Sequence, residues 1–208
     1  MFVCGTDTDA GKTVTSAALM RRYRHLRQKY WKPVQTGADN DTGTVQSIAE
    51  LDSRRFIKPL YSFHEPLSPH RAGELDGVEI DLSLIVETFR ELSSEGPLLL
   101  EGAGGLFVPL NRKFTWADFL QKTALPVILA ARSGLGTINH SLLTVRALES
   151  MGIPLAGIVF NGPINPDNRQ TVSDFTGCKN VLSLDYRSTA DLDEFDPDGV
   201  FEKYLGGP

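Results

Sequence analysis

The chain has 208 residues, a length typical of one large domain or two small ones, and its 41% hydrophobic and 23% charged residues are those of an ordinary globular protein. Its formal net charge of −5 disfavours a surface for nucleic acid or for an anionic membrane, because such surfaces carry an excess of Lys and Arg. The two cysteines form neither a disulfide framework nor a metal-ligand cluster, and no apolar run reaches the roughly 18 residues of a membrane span, so a reducing cytoplasm is expected.

Short apolar runs alternate with helical patterns along the chain, as in parallel sheets with crossover helices. The predicted strands are Met1–Cys4, Tyr30–Val34, Pro97–Leu100, Val127–Ala130, Leu155–Phe160 and Asn180–Leu184. The predicted helices are Gly11–Gln28, Thr44–Leu51, Leu82–Ser93, Thr115–Gln121, Thr137–Met151, Asp167–Phe175 and Ala190–Tyr204. These elements predict a single α/β domain over residues 1–208, with a doubly wound, mostly parallel sheet and helices on both faces.

Two local patterns add to this outline. Residues 52–80 contain several prolines and predict an irregular excursion, which in a compact domain is more often functional than decorative. Thr115 and Asp118 have the spacing of an N-cap followed by an acidic third position, so they predict a capping box.

The stretch GTDTDAGKT, Gly5–Thr13, follows a predicted strand and opens a predicted helix, which is the setting of a phosphate-binding loop. Five residues separate Gly5 from Gly11, one more than in the usual form. The glycines let backbone N–H groups approach phosphates, and the helix N-terminus adds a favourable field. Lys12 is expected to neutralise phosphate charge and the Thr13 hydroxyl to bind Mg²⁺, so nucleotide binding is favoured over an incidental glycine turn.

Two further segments are expected at the same edge of the sheet. YWKPVQTG delivers Lys32 and Thr36 to this edge, although the local sequence fits a solvated strand-end lysine equally well. LLLEGAGG ends a buried strand in Glu101, a carboxylate that is costly to bury unless it is paired or binds a cation such as Mg²⁺. The alternative for Glu101 is a cap on a tight turn.

Other candidates leave two interpretations open. Asp39 and Asp41 precede a predicted helix. Each of them is either an N-cap of that helix or part of a binding site for a hard cation. Ser133–Ser141 places glycines at a helix start, which suits an anion such as a carboxylate. Asn161 ends a strand with an amide able to read a nucleobase edge, and His70 fits either loop structure or pocket lining.

Taken together, these segments resemble the dethiobiotin synthetase family over roughly residues 2–162. The resemblance rests on GTDTDAGKT, KPVQTG, EPLSPH, EGAGGLFVPL, PVILAARSGLGTINH and AGIVFNGP, in that order. It implies a P-loop NTPase-like fold and a homodimeric, cytoplasmic ligase of biotin biosynthesis that uses ATP and Mg²⁺. The family joins 7,8-diaminononanoate to CO₂ through a carbamate and a mixed carbamic–phosphoric anhydride, which the second amine closes to a cyclic urea.

The resemblance also implies roles for the matching positions. Lys12 and Lys32 are the implied catalytic pair, which stabilises charge as the phosphoryl group moves. Nucleotide contacts are implied for Asp9, Ala10, Gly11, Lys12, Thr13, Val14, Asp41, Glu101, Gly102, Ala103, Gly104, Asn161 and Gly162. Mg²⁺ is implied at Thr13, Asp41 and Glu101. The diamine substrate is implied to contact Thr8 and Thr36 and, through its carboxylate, Gly136, Thr137, Ile138 and Asn139.

The last quarter of the chain departs from the family pattern. Where the base-holding segment often reads Ile-Pro-Trp-Leu, this chain has LSLDYRS, so the base contacts of Asp185 and Tyr186 stay open. An aromatic residue from the partner subunit is expected after Asn161, where Ser173 and Phe175 are the nearest candidates.

Two other functions fit a nucleotide-binding α/β chain. A dimeric ATPase switch of the deviant phosphate-loop kind usually has a second lysine early in the loop, where this chain has Thr6 and Asp7. Such switches also often have a basic or amphipathic tail, whereas EFDPDGVFEKYLGGP is acidic. An amide-forming synthetase on the same scaffold would need a glutaminase domain, for which 208 residues leave no room.

Overall fold

The computed structural model describes residues 1–187 and 189–205, so Ser188 of the LSLDYRS segment and residues 206–208 of the predicted domain lie outside it. The strands are β1 (Phe2–Gly5), β2 (Lys29–Trp31), β3 (Val34–Thr36), β4 (Phe56–Ile57), β5 (Tyr61–Phe63), β6 (Leu98–Gly105), β7 (Val127–Arg132), β8 (Leu155–Asn161) and β9 (Val181–Leu184). The α-helices are α1 (Lys12–Arg22), α2 (Asp41–Ala49), α3 (Pro69–Leu75), α4 (Leu82–Ser94), α5 (Trp116–Thr123), α6 (Thr137–Ser150), α7 (Pro166–Thr176), α8 (Thr189–Asp193) and α9 (Glu202–Leu205).

Seven of these strands form one sheet in the order β4-β2-β6-β1-β7-β8-β9, and every neighbouring pair in it is parallel. β3 and β5 form a separate parallel pair. The prediction of a doubly wound, mostly parallel α/β sheet is therefore confirmed. Because β1, β2 and β6 are adjacent and parallel, the loops that follow them meet at one edge, where ligands bind in such sheets.

Alternate residues of the central strands pack into two hydrophobic clusters. Phe2 and Leu100 pack with α4 and α5, and the Phe2 ring lies 5.4 Å from that of Trp116. Val3 and Leu99 pack with α1 and the C-terminal helices. Since successive side chains of a strand point to opposite faces, both faces of the sheet are covered, which explains why these strands read as continuous apolar runs.

The prediction of one strand over Tyr30–Val34 is wrong. Its first part is β2 of the main sheet, and its last residue begins β3 of the small sheet. The break lies at Lys32 and Pro33, and proline has no N–H to donate to a strand ladder. The Pro33 carbonyl accepts instead from the N–H groups of Leu60 and Tyr61, at 2.9 and 3.0 Å. This break turns Lys32 out of the ladder and places it at the sheet edge.

The expected irregular excursion at residues 52–80 is wrong in part, because it contains β4, β5 and α3. β4 has two residues and β5 three, which is too short for alternation to be read from the sequence. α3 has Pro69 in its first turn, a position where the missing N–H of proline costs nothing. The excursion thus forms a wall beside β3.

Two predicted helices differ from their sequence pattern, since one ends early and the other is divided. The helix expected over Gly11–Gln28 ends at Arg22, followed by a short 3₁₀ turn. The helix expected over Ala190–Tyr204 is two short helices, α8 and α9. Between them Asp196 has a left-handed φ of 51° and precedes Pro197, and neither continues a helix.

The predicted capping box of α5 is confirmed. Thr115 is the N-cap, and its backbone N–H and hydroxyl donate to Asp118 Oδ2 at 2.7 and 2.8 Å. We expect Thr115→Ala to lower the free energy of unfolding by about 1 kcal/mol, measured by urea denaturation. Thr123→Ala, which removes a hydroxyl bonded to the Phe119 carbonyl within the same helix, is the control and should be close to neutral. Equal effects of the two changes would contradict the capping role.

Candidate active site

A cavity of about 530 Å³ lies at the carboxyl ends of β1, β3 and β6. Its walls are the phosphate loop (residues 5–13), the start of α2, the end of β6 and the segment between β5 and α3. The lining residues are Thr8, Asp9, Gly11, Lys12, Thr13, Val14, Lys32, Gln35, Thr36, Asp39, Asp41, Pro66, Leu67, Ser68, Pro69, Glu101, Ala103, Gly104 and Val108. Both predicted catalytic lysines and all three predicted Mg²⁺ ligands therefore face one space.

The phosphate loop turns from β1 into α1 around the Lys12 ammonium. Lys12 Nζ donates to the Asp7 carbonyl at 3.3 Å, and a Cβ on Gly5 would lie 3.1 Å from Nζ. Asp9 and Gly11 both have left-handed φ values, 57° and 87°. Burial lowers the pKa of Lys12, and the charge of Glu101 opposes that shift. The loop therefore holds one ammonium at its centre.

Glu101 is fully buried within β6, and four side chains surround its carboxylate. Oε2 accepts from Ser16 Oγ at 2.6 Å and from the Tyr30 hydroxyl at 3.0 Å. Oε1 lies 3.2 Å from Thr13 Oγ1 and 3.4 Å from Lys32 Nζ. The turn-cap interpretation is wrong, because β6 continues through Glu101 to its end. Burial and the neighbouring carboxylate charge raise the pKa of Tyr30 well above its ordinary value, so its hydroxyl remains a donor.

Lys32 lies between two carboxylates. Its Nζ donates to Asp41 Oδ2 and lies within ion-pair distance of Glu101, and the side chain is 5% exposed. Burial disfavours the charged form, but the charges of Glu101 and Asp41 outweigh it, so the pKa of Lys32 is raised. The alternative of a solvated strand-end lysine is therefore wrong.

Asp41 is the first residue of α2, and Asn40 is the N-cap, with its side chain accepting from the Gly43 N–H at 2.9 Å. The N-cap interpretation of Asp41 is therefore wrong, and so is that of Asp39. The Asp41 carboxylate lies 3.4 Å from Thr13 Oγ1 and also accepts from Lys32. α2 begins three residues before its predicted start, and this longer helix presents Asp41 to the cavity.

Asn161 ends β8 and contacts the phosphate loop. Its Nδ2 donates to the Ala10 carbonyl at 3.1 Å and lies 3.1 Å from Thr15 Oγ1. A Cβ on Gly11 would lie 2.4 Å from Asn161 Cγ. The amide predicted to read the nucleobase thus supports the loop backbone, and its contact with a base stays a prediction.

The segment after β9 lies beside Asn161. The Gly162 N–H donates to the Leu184 carbonyl at 3.0 Å, which joins the ends of β8 and β9. Asp185 pairs with Arg187 at 2.6 Å, and Tyr186 packs against the hydrophobic cluster of α1. Base contacts from Asp185 or Tyr186 stay predictions.

The predicted carboxylate contacts lie apart from the cavity. Gly136, Thr137, Ile138 and Asn139 form the N-terminus of α6, and the cavity lining, taken over the described residues, does not include them. A neighbouring groove joins the phosphate loop to Leu143 and Thr144 of α6. Leu135, in the turn before α6, is fully exposed.

Two predicted nucleotide contacts have a different local setting. Gly102 is buried against the core, since a Cβ there would lie 2.7 Å from Phe2 Cζ, so packing explains this glycine. Gly104 lines the cavity with a left-handed φ of 68°, a conformation that favours glycine, and a Cβ there would lie 2.6 Å from Val108 Cγ2. His70 lines a second cavity with Glu74 and Arg112 rather than the main one.

Four polar residues that line the cavity or support Glu101 had no role assigned from the sequence. Gln35 lines the cavity, and its Oε1 is buried without a hydrogen-bond partner in the described structure. Ser68, between β5 and α3, also lines the cavity. Ser16 and Tyr30 support Glu101 from the core. The spacing of Thr13 and Ser16, one helical turn apart, was the available signal for Ser16.

Over the described residues, no helix is long and apolar enough to cross a membrane.

The fold and the family can be compared with known proteins. A family model described as an AAA domain matches residues 1–192. Among solved structures, a MinC:MinD cell division complex from Aquifex aeolicus aligns with a TM-score of 0.56 and 13% identity over 97% of this chain and 88% of that one. A ParA family ATPase from Chlorobium tepidum aligns with a TM-score of 0.56 and 8% identity over 99% and 95%. At these identities the likeness shows the fold alone, that of P-loop NTPases.

Curated relatives are much more similar in sequence. The ATP-dependent dethiobiotin synthetase BioD of Paramagnetospirillum magneticum is 43% identical, with 88% of this chain and 86% of the relative covered. The protein of the same name from Rhodopseudomonas palustris is 45% identical over 83% and 79%, and that from Nitrobacter hamburgensis is 40% identical over 100% and 98%. The chain belongs to the family of ATP-dependent dethiobiotin synthetases, which are ligases of biotin biosynthesis.

Proposed function

We propose that this protein condenses 7,8-diaminononanoate with CO₂ to form dethiobiotin, at the expense of ATP. The observation that carries the proposal is the convergence of Lys12 and Lys32 on one cavity with Glu101, Asp41 and Thr13. The pKa of Lys12 is lowered and that of Lys32 is raised, so the cavity holds two ammonium groups in different surroundings. Such a pair suits a reaction in which negative charge moves from a carbamate to a phosphoryl group.

The reaction proceeds in three steps. One amine of the substrate adds to CO₂ and loses a proton, which gives a carbamate anion. A carbamate oxygen attacks the γ-phosphorus of ATP, the bond to the bridging oxygen breaks, and ADP leaves. The second amine then attacks the carbamate carbon, phosphate leaves with the carbon–oxygen bonding pair, and the amine loses its proton as the cyclic urea closes.

The lysines supply positioning and charge rather than covalent chemistry. Lys12 lies at the centre of the phosphate loop and binds the β- and γ-phosphates. Lys32, held at the sheet edge beside Glu101, stabilises the carbamate and the anhydride. Thr36 and Thr8, which line the same cavity, bond the amine end of the substrate. None of the three steps requires a general-base histidine or a side-chain nucleophile.

The donor set around Glu101 fits Mg²⁺. Thr13, Asp41 and Glu101 bring one hydroxyl and two carboxylates together, and Mg²⁺ is usually held by one or two carboxylates, phosphate oxygens and water. Over residues 1–187 and 189–205, no group of three or more His, Cys, Asp or Glu side chains forms a metal site. Bound here with nucleotide, Mg²⁺ supplies charge neutralisation at the phosphates.

The carboxylate end of the substrate is assigned to Gly136–Asn139 of a second copy of the chain. These residues begin a helix of 14 residues but lie outside the cavity of their own protomer. The exposed apolar side chains Phe107 and Leu143, which line the groove between the phosphate loop and α6, support a homodimer. The chain acts as one synthetase domain in the cytoplasm.

The proposed reaction is tested by following the carbon atom of bicarbonate into the product. Purified protein with the diamine, Mg·ATP and ¹³C-bicarbonate should yield dethiobiotin one mass unit heavier than with ordinary bicarbonate, as measured by mass spectrometry. Omission of ATP should abolish the product. A product with no label, or none at all from folded protein that binds ATP, would contradict the assigned substrates.

A further inference from the structure

The two oxygens of Glu101 have different partners. Oε1 faces the cavity side, where Thr13 and Lys32 contact it. Oε2 accepts two hydrogen bonds from neutral hydroxyls, Ser16 Oγ at 2.6 Å and Tyr30 at 3.0 Å. Ser16 and Tyr30 are fully buried, so both bonds are shielded from water. Hydrogen bonds to a charged acceptor in such a setting are strong and directional.

The sheet and helix geometry explain how these hydroxyls reach one oxygen. Tyr30 of β2 is paired with Leu99 of β6, and Glu101 lies two residues further on, on the same face of the sheet. Thr13 and Ser16 are three residues apart on α1, so they lie on one helix face. One helix turn thus places a hydroxyl at each oxygen of the carboxylate.

The hydroxyl group of Tyr30 is not needed to fill the core. The Tyr30 ring lies in the hydrophobic cluster below α1, 5.9 Å from the Phe56 ring, and phenylalanine would fill the same space. A buried hydroxyl costs free energy unless it is bonded, and the bond of Tyr30 is to Glu101. With Oε2 free, the carboxylate could rotate and give both oxygens to Lys32.

We infer that Tyr30 and Ser16 are positioning residues, which hold Oε2 of Glu101 so that Oε1 is presented to Mg²⁺ and the phosphates. This inference rests on the proposed function, in which Glu101 binds Mg²⁺. Removal of second-sphere partners of metal ligands typically costs 10- to 100-fold in metal affinity or activity, because the ligand loses its fixed orientation.

The test measures Mg²⁺ directly and does not depend on turnover. Binding of a non-hydrolysable ATP analogue to the full chain is measured by calorimetry over a series of Mg²⁺ concentrations. For Tyr30→Phe/Ser16→Ala we expect the half-saturating Mg²⁺ concentration to rise about 10-fold, with a smaller rise in each single variant. Binding of the analogue in chelator should stay unchanged, since both variants leave the phosphate loop intact.

Tyr23→Phe is the matched control. Tyr23 is equally buried, but its hydroxyl bonds to Asp196 near α9, away from the cavity. It should leave the Mg²⁺ requirement at the wild-type value. A folded double variant with the wild-type requirement would overturn the inference. If Tyr30→Phe does not fold, Ser16→Ala alone must raise the requirement, and an unchanged value would overturn the inference.

The wild-type titration keeps the two proposals apart. If nucleotide binding by the wild type does not depend on the Mg²⁺ concentration, both the metal role of Glu101 and the inference are overturned. A normal Mg²⁺ response without dethiobiotin formation would contradict the proposed substrates only, and the comparison of variants would still decide the roles of Tyr30 and Ser16.

Discussion

Lys32→Ala is expected to lower the turnover of diamine, CO₂ and ATP by about 10²- to 10³-fold, the usual effect of removing one charge-stabilising donor from a water-poor site. Lys32 is nearly fully buried between Glu101 and Asp41, so its truncation removes the ammonium that both carboxylates contact. The loss should lie in turnover, whereas the affinity for ATP should change little, because Lys12 and the loop backbone hold the phosphates. Turnover is measured as dethiobiotin formed per enzyme, and ATP affinity by calorimetry.

Lys29→Ala is the control for Lys32. Lys29 begins β2, the strand that Lys32 directly follows, but its ammonium pairs with Glu95 at 2.6 Å and its side chain is partly exposed. We expect it to keep wild-type turnover. Since Lys32→Ala leaves a buried carboxylate less well compensated, thermal unfolding of each variant must show that the protein is folded at the assay temperature. Near-normal turnover of folded Lys32→Ala would disprove the catalytic role.

Gly11→Ala is expected to weaken ATP binding by about 100-fold. Gly11 has a φ of 87°, and a Cβ there would lie 2.4 Å from Asn161 Cγ and 2.7 Å from Nδ2. Backbone strain of this kind costs about 1–3 kcal/mol. We expect the free loop to relax to relieve it, so that ATP binding must restore the strained loop, and a cost of roughly 3 kcal/mol is a 100-fold change in affinity. The clash also displaces the amide that bonds to the Ala10 carbonyl, so the loop cannot keep its N–H groups in place for phosphate. ATP affinity is measured by calorimetry.

Gly152→Ala is the matched control for Gly11. Gly152 also has a left-handed φ, 67°, but a Cβ there would meet nothing within 4 Å. It should lower stability by about 1 kcal/mol and leave ATP affinity unchanged. ATP binding by Gly11→Ala that equals that of Gly152→Ala would show that the contact with Asn161 does not shape the loop.

Local patterns in the sequence predict the fold because the signals in the sheet are strong. Buried strands such as β7 and β8 read as unbroken apolar runs, and the phosphate loop has a fixed context between a strand and a helix. The predictions of strands fail where contacts between distant parts of the chain decide the structure. The segment Tyr30–Val34 was predicted as one strand, yet Pro33 divides it between two sheets. The short strands β4 and β5 are defined by their partners rather than by their own residues.

The candidate site was predictable where a charged side chain is costly to bury without a partner. A buried Glu101 requires donors or a cation, and that requirement holds whatever the fold. The Tyr30 donor was not predictable, since Tyr30 resembles an ordinary core aromatic and becomes a donor only because β2 lies beside β6. The role of Gly102 was also hidden, because only the position of Phe2 shows that packing excludes a side chain there.

The most direct test of the synthetase account is phosphate release from ATP as a function of diamine concentration. A synthetase needs the carbamate of 7,8-diaminononanoate as its nucleophile, so phosphate should be released only with diamine and bicarbonate present, one phosphate for each dethiobiotin. Phosphate release that proceeds at the same rate without the diamine would contradict the account and favour an ATPase switch.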